Sequence, residues 1–220
     1  THIPHNFTAD DLKGKADCRK KLLKAFGLKA KAKTPVIGMI TRLADQKGID
    51  ILAEAMPELM KLDMVMLILG SGDRRYQELL ADLAGHYPEK LAVKIAFNSS
   101  LSHLVEAGSD AFLMPSKYEP CGLNQIYSLK YGTVPVVRAT GGLDDTVKDA
   151  GGEDGNGFKF KEYSAAALVG KVAEAVAAFA DRKGWGELQR RGMAEDFSWN
   201  DAAKKYVEVY RAAQARLHKT

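Results

Sequence analysis

From residue 36 onward, short apolar runs alternate with longer stretches of helical periodicity. The run at 36–40 is continuous and rich in branched residues, as expected of a strand buried on both faces. Over 50–62, Ile51, Leu52, Ala55, Leu59 and Leu62 recur at three- and four-residue spacings, which predicts an amphipathic helix with those side chains inward. The same reading predicts strands at 64–69, 91–96, 111–114, 134–137 and 158–160. It predicts helices at 74–84, 102–107 and 123–131, the second closed by Gly108. Strands and helices at this spacing imply parallel βαβ units, an α/β fold with helices flanking a parallel sheet. Ligands bind such sheets at the carboxyl ends of the strands. The loops to inspect are therefore 41–48, 70–73, 97–101, 115–123 and 138–142.

The two ends differ from this middle. Residues 2–7 read as an extended arm, and Thr8-Ala9-Asp10-Asp11 as a helix cap with an acidic first turn. That helix is expected to reach Phe26 and stop at Gly27. The chain starts at Thr1 rather than Met, so a piece of a larger protein is expected. The last third predicts helices at 164–180, 184–193 and 200–217, the final one with Ala203, Tyr206, Val207, Tyr210 and Ala213 on one stripe. The expected division is an arm and helix at 1–30, a nucleotide-sugar-binding domain at 31–196 and a crossover helix at 197–220.

Charge and composition narrow the classes. Thirty-two basic and 28 acidic residues leave a net charge of +4, too weak to specify nucleic acid. The lysine-rich stretch 13–33 has no interleaved aromatics and reads as a solvated helix face. Cys18 and Cys121 are too few for a disulfide framework or a zinc site, which fits a reducing, cytoplasmic setting. The longest apolar run, 64–69, is too short to span a membrane, and no signal peptide is visible. Neither a nucleic-acid nor a membrane partner is expected.

The densest candidate chemistry is Tyr118-Glu119-Pro120-Cys121-Gly122-Leu123-Asn124-Gln125, between an apolar strand and a helical pattern. A helix start attracts anions through its free amides. Glu119 would stand just outside that start, where a hydroxyl-bearing group could lie beside a phosphate. Arg42 and Lys47 share one strand-to-helix loop at the same edge; Arg can grip two phosphate oxygens and Lys adds a mobile point charge. Gly70-Ser71-Gly72-Asp73 reads as a small-residue turn, either plain or open to a ligand. It is not a dinucleotide fingerprint, because Arg75 occupies the third glycine's place, and no Walker A sequence occurs. Phe97, directly after a strand, is either a platform for a nucleobase or a core aromatic. Gly141-Gly142 would let a backbone approach a ligand closely. Asp144-Asp145 reads as a helix cap rather than a metal site, and no metal is expected. His103 has no evident partner, and His2 and His5 lie in the arm.

Taken together, these loops resemble the C-terminal half of bacterial glycogen synthases and plant starch synthases. The matching text is Arg42-Leu43 with Gln46-Lys47-Gly48, Pro115-Ser116, and Glu119-Pro120-Cys121-Gly122-Leu123 with Gln125. Further on come Leu129-Lys130-Tyr131-Gly132-Thr133-Val134-Pro135-Val136-Val137-Arg138, Thr140-Gly141-Gly142-Leu143 with Asp145-Thr146-Val147, and Phe197-Ser198-Trp199. The resemblance implies a Rossmann-like parallel sheet, one half of a two-domain GT-B-type retaining glucosyltransferase. It implies ADP-glucose or ADP as ligand, no cofactor, and an α-1,4-glucan acceptor reached through an N-terminal domain. That domain's Lys-Thr-Gly-Gly-Leu loop does not occur in this chain, so a fragment inactive by itself is expected. By position, Glu119 resembles the carboxylate at the catalytic centre, and Arg42 and Lys47 the pair that grips the diphosphate. Phe97 falls where the family puts an aromatic, commonly Tyr, against adenine. Cys121, Gly122, Leu123, Asn124 and Gly142 fall at donor-binding positions. Tyr127 stands where wider relatives carry a second glutamate. Two other readings stay open: a UDP-sugar-dependent transferase of the same architecture, and a non-catalytic nucleotide- or glucan-binding module.

Overall fold

The computed structural model describes residues 2–217, so Thr1 of the arm and the last three residues of the 197–220 segment lie outside the described residues. Six parallel strands form one sheet: β1 (Val36–Leu43), β2 (Val65–Gly72), β3 (Leu91–Ile95), β4 (Ala111–Met114), β5 (Val134–Arg138) and β6 (Phe158–Phe160). Their spatial order is β3-β2-β1-β4-β5-β6, so the chain direction across the sheet reverses between β1 and β4. There the ladders are unequal. β1 pairs with β2 along its whole length, from Val36 opposite Val65 to Leu43 opposite Gly72. With β4 it pairs only at Ile37 and Gly38. Beyond Gly38 the two strands part, and this opens the crevice where doubly wound sheets take ligands.

Successive strand residues bury against opposite layers, the period-2 consequence of the pleat. Ile37, Met39, Met66, Ile68, Ala111 and Leu113 pack toward α2 (Ile49–Leu59), α3 (Arg74–His86), α7 (Ala165–Ala178) and α8 (Arg182–Ala194). Val36, Val65, Leu67, Leu69, Phe112 and Met114 pack toward α1 (Lys13–Phe26) and α4 (Ser99–Gly108). Each large side chain buried in this way contributes about 1.5–3 kcal/mol. The remaining helices are α5 (Asn124–Lys130), α6 (Gly142–Thr146) and α9 (Trp199–Leu217). On α9, Trp199 is 82% exposed and Tyr210 63%.

Several expected boundaries move. β1 and β2 each run three residues further than their apolar cores, because Thr41-Arg42-Leu43 continues the ladder with Gly70-Ser71-Gly72. The small residues suit this close pairing: a Cβ at Gly70 would stand 2.2 Å from the Thr41 carbonyl oxygen. Arg42 therefore belongs to a strand end rather than a loop, and 70–72 is strand rather than turn. α4 starts at Ser99, three residues before its expected start, because the Asn98 side chain accepts from Leu101 N at 2.9 Å and caps it. α1 starts only at Lys13; Thr8 closes a separate turn with Asp11 through Thr8 N to Asp11 O at 3.1 Å. α6 is the short helix at the acidic pair; Gly141 rather than the pair takes the cap position, and Asp144 and Asp145 lie in the first turn.

The lysine-rich stretch is not uniformly solvated. Lys15 is 7% exposed and donates to Ala107 O at 2.9 Å, Tyr131 O at 3.0 Å and Thr133 Oγ1 at 2.6 Å. It ties α1 to the carboxyl ends of α4 and α5, where free carbonyls favour a cation. Arg19 is similarly engaged, donating to Asp110 at 3.1 Å and to Thr34 O at 2.7 Å.

Candidate functional site

The site is built where β1 and β4 separate. After β1, Asp45–Lys47 makes one 3₁₀ turn before α2. Asp45 is held by the Tyr76 hydroxyl and by Arg75 of α3, which keep its carboxyl below the usual range. Burial, and next the same contact, push the Tyr76 hydroxyl up to about 12. Gln46 links the turn to the loop after β4: its side chain donates to Tyr118 O at 3.2 Å, and its carbonyl accepts from Lys117 N at 2.8 Å. Gly48 completes the turn at φ 72°, and a Cβ there would stand 2.1 Å from Pro115 O. Only glycine tolerates both that conformation and that approach.

Lys47 is thereby aimed across the crevice. Its Nζ donates to Glu119 Oε2 at 2.5 Å, with the two side chains 19% and 9% exposed. Ser116 Oγ donates to the same carboxylate oxygen at 3.2 Å. Arg42 donates to Gln46 Oε1 at 3.0 Å and lines the same cavity as Lys47. Arg138, from the end of β5, supports the Glu119 loop by donating to Lys117 O at 2.7 Å.

The backbone of the 119–121 loop is held by main chain from the 141–142 turn. Gly142 N donates to Glu119 O at 2.9 Å. A Cβ at Gly142 would stand 1.9 Å from Cys121 O. These glycines thus bring one loop against another loop, 119–121. Gln125 locks the bend between them, donating to Cys121 O at 3.1 Å, Gly122 O at 3.0 Å and Thr146 Oγ1 at 3.2 Å. Gly122 takes φ 72° within that bend. Cys121 is exposed with a free thiol, and Leu123 is 54% exposed. Asn124 turns its amide toward β1, donating to Ile40 O at 3.0 Å.

A cleft of about 510 Å³ continues from this centre along β1 and β2. It is lined by Ile40, Arg42, Gly70, Phe97, Asn124 and Tyr127, among others. Phe97 is 95% exposed, so the core-aromatic alternative is excluded. A second cavity of about 250 Å³ shares Thr41, Arg42 and Asn124 and adds Lys47 and Ser116. Together they make one groove, with an aromatic ring in one part and two cations in the other, and Lys47 reaches from its lining to Glu119.

Some contributors carried no signal of their own in the sequence. Gln46, Ser116, Gln125 and Arg138 stood out only as part of a longer match. Their work is to hold backbone at long sequence separation, which periodicity does not show. His103 does have partners: its Nδ1 lies 3.2 Å from the Tyr131 hydroxyl, and its ring stacks on His2 at 4.7 Å. Asp144 pairs with Lys159 at 2.7 Å. No cluster of three or more potential metal ligands occurs among the described residues, and no helix among them is long and apolar enough to cross a membrane.

A doubly wound parallel sheet with a basic, aromatic-bearing groove at its crossover defines a Rossmann-like α/β domain. The family model for glycosyl transferases group 1 matches residues 21–191, and the chain belongs to that family. A glycogen synthase of Koribacter versatilis (strain Ellin345) is 50% identical over 214 residues, covering 96% of this chain and 44% of the relative. One from Anaeromyxobacter dehalogenans (strain 2CP-1) is 50% identical over 211 residues, covering 96% and 44%. The chain therefore spans less than half the length of these relatives. Among solved structures, the catalytic domain of Starch Synthase IV from Arabidopsis thaliana, bound to ADP and acarbose, matches with a TM-score of 0.88. That match has 31% identity and covers 96% of this chain and 45% of the other. Sucrose-phosphate synthase from Thermosynechococcus elongatus shares the fold at a TM-score of 0.66 and 22% identity, covering 97% and 52%. The fold is thus one domain of a GT-B glycosyltransferase.

Proposed function

We propose that this chain is the donor-binding domain of a retaining glucosyltransferase of glycogen synthesis, which moves glucose from ADP-glucose to the 4-hydroxyl of an α-1,4-glucan. The likeness to an ADP-bound starch synthase at a TM-score of 0.88 supports the donor, and the identity to glycogen synthases supports the product. The observation that carries the reading is the groove itself, lined by Arg42 and Lys47, with Glu119 2.5 Å from the lysine.

In this reading the adenine stacks on Phe97 and the diphosphate lies against Arg42 and Lys47. Charge-assisted contacts of that kind stabilise the departing diphosphate as negative charge develops on it. The bend at Gly122 and the Gly142 turn bring main chain to the donor. Glu119 faces the glucose. The two cations supply the charge compensation, so no metal is needed. Catalysis requires a second domain that closes over the groove, excludes water and presents the glucan. Residues 197–220 act as the segment that packs on it. The setting is cytoplasmic, in keeping with two free thiols.

Titration calorimetry with ADP and UDP tests the donor. ADP is expected to bind more tightly than UDP, and chelator to leave binding unchanged. Alanine at both Arg42 and Lys47 should weaken ADP, each lost contact costing about 1.5–3 kcal/mol. Equal ADP affinity in that double variant would place the nucleotide elsewhere. Labelled glucose should enter glycogen with the full-length enzyme and not with this chain alone; robust synthesis by the chain would overturn the two-domain scheme.

A further inference from the structure

The cleft contains a carboxylate to which the donor reading gives no role. Glu106 lies on α4 three residues beyond His103, on the same helix face. Its side chain is 5% exposed, and it lines the cleft that holds Phe97 and Tyr127. Its carboxylate accepts no hydrogen bond among the described residues. His103 Nδ1 stands 3.6 Å away, beyond hydrogen-bond reach, and that nitrogen is directed to Tyr131. The Glu106 main-chain carbonyl is by contrast engaged by Thr133 Oγ1. Burial lifts the carboxyl to about 7. A mostly buried carboxylate that opens on a cleft, with only an imidazole 3.6 Å away and no hydrogen bond, is costly and calls for an explanation.

The surroundings point to the partner. The exposed Phe97 ring offers a face to a flat group, and the cations beyond it suit a phosphate. A nucleoside fits between them, and it carries hydroxyl and amine donors. Glu106 is the only carboxylate among the described residues lining this cleft.

We infer that Glu106 is a specificity-determining residue of the donor site, its carboxylate accepting a hydrogen bond from a ribose hydroxyl or from the exocyclic amine of the base. A nucleotide that lacks the matching donor leaves the carboxylate desolvated and unpaired, and is rejected on that account. The inference rests on the donor reading above and adds to it a group that selects the nucleoside.

The test is calorimetry on the 220-residue chain, Glu106→Leu and Glu106→Gln. The ligands are ADP, its 2′-deoxy and 3′-deoxy analogues, inosine diphosphate and inorganic pyrophosphate. ADP is expected to weaken at least about tenfold in Glu106→Leu and less in Glu106→Gln, whose amide oxygen still accepts. Pyrophosphate should bind all three proteins alike. One class of analogue should bind the unaltered chain weakly and lose nothing further in Glu106→Leu: the deoxyriboses if a hydroxyl is the partner, inosine diphosphate if the amine is. An equal loss for every nucleotide, or ADP affinity within about twofold of the unaltered chain, overturns the inference. Should Glu106→Leu fail to fold, Glu106→Gln decides by the same criterion: a smaller loss confined to the same nucleotides supports it, and none overturns it. If the unaltered chain binds no ADP, the donor reading falls and takes the inference with it. Normal ADP binding without any dependence on Glu106 overturns the inference alone.

Discussion

Lys47 and Glu119 stand 72 residues apart and meet at 2.5 Å, so the cation that the proposed function assigns to a diphosphate is held by the carboxylate it assigns to a sugar. The pair is mostly buried, and little solvent screens it. An incoming diphosphate must compete with Glu119 for the ammonium.

Glu119→Gln is therefore expected to raise the affinity of the chain for pyrophosphate by about three- to tenfold, the range corresponding to about 1 kcal/mol recovered from a released cation. In the full-length enzyme the same change should reduce turnover severely. Calorimetry and glucose incorporation read the two effects separately. Unchanged or weaker pyrophosphate binding would show that the ion pair is no competitor.

Phe97→Ala should weaken ADP while leaving the thermal midpoint within about 1 °C, since a ring 95% exposed contributes little burial to lose. Phe97→Tyr should bind at least as well as the native chain. Normal ADP affinity in the alanine variant would remove the ring from the base site.

Gly142→Ala would press a methyl against Cys121 O, which stands 1.9 Å from the ideal Cβ position. Forcing an extra carbon into such a contact costs about 1–3 kcal/mol. At about 2–4 °C per kcal/mol for a domain of this size, the melting temperature should fall measurably, and ADP affinity with it. A native melting temperature would mean that the 119–121 loop moves aside freely.

Glu106 and Lys15 give opposite pH dependences. Burial raises the Glu106 carboxyl from 4.5 to about 7, so the folded protein holds a proton that the unfolded chain releases earlier. Its contribution is fully present below about pH 4.5 and is lost as pH rises through 7. Burial lowers Lys15 from 10.5 to about 7, so the cost of burying its charge is relieved between about pH 7 and 10.5. Urea midpoints at pH 5, 7 and 9 should show Glu106→Gln removing part of the decline between 5 and 7, with the change between 7 and 9 as in the native chain. Parallel profiles throughout would show that Glu106 titrates normally.

Where one physical signal dominated, the sequence was legible. β4 was readable to the residue, because four buried apolar residues sit between Asp110 and Pro115. The expected helix stop at Gly27 also holds, with φ at 71°. Legibility failed where the backbone decides. Thr41-Arg42 and Gly70-Ser71-Gly72 look like loops by composition, yet they extend a ladder whose hydrogen bonds do not depend on side-chain polarity. It failed again where distant groups converge: Lys15 reads as one more surface lysine, and only the fold brings oxygens from Ala107, Tyr131 and Thr133 around it. In the groove, Arg42, Lys47, Glu119 and Phe97 announced themselves by type and position, whereas Glu106 reads as an ordinary helix-surface carboxylate until α4 is set against α5.

The early parting of β1 from β4 has a consequence for how this groove can change. Past Gly38 the floor is bare peptide, and Asn124 occupies one of its exposed carbonyls, at Ile40. Floor and walls are thus chemically independent parts. The peptide floor is nearly indifferent to sequence, while Phe97, Glu106 and Tyr127 stand on separate segments that can be exchanged one at a time. Under the proposed function, a new nucleotide preference could be grafted onto this sheet by altering wall residues alone, leaving the rest of the groove as it is.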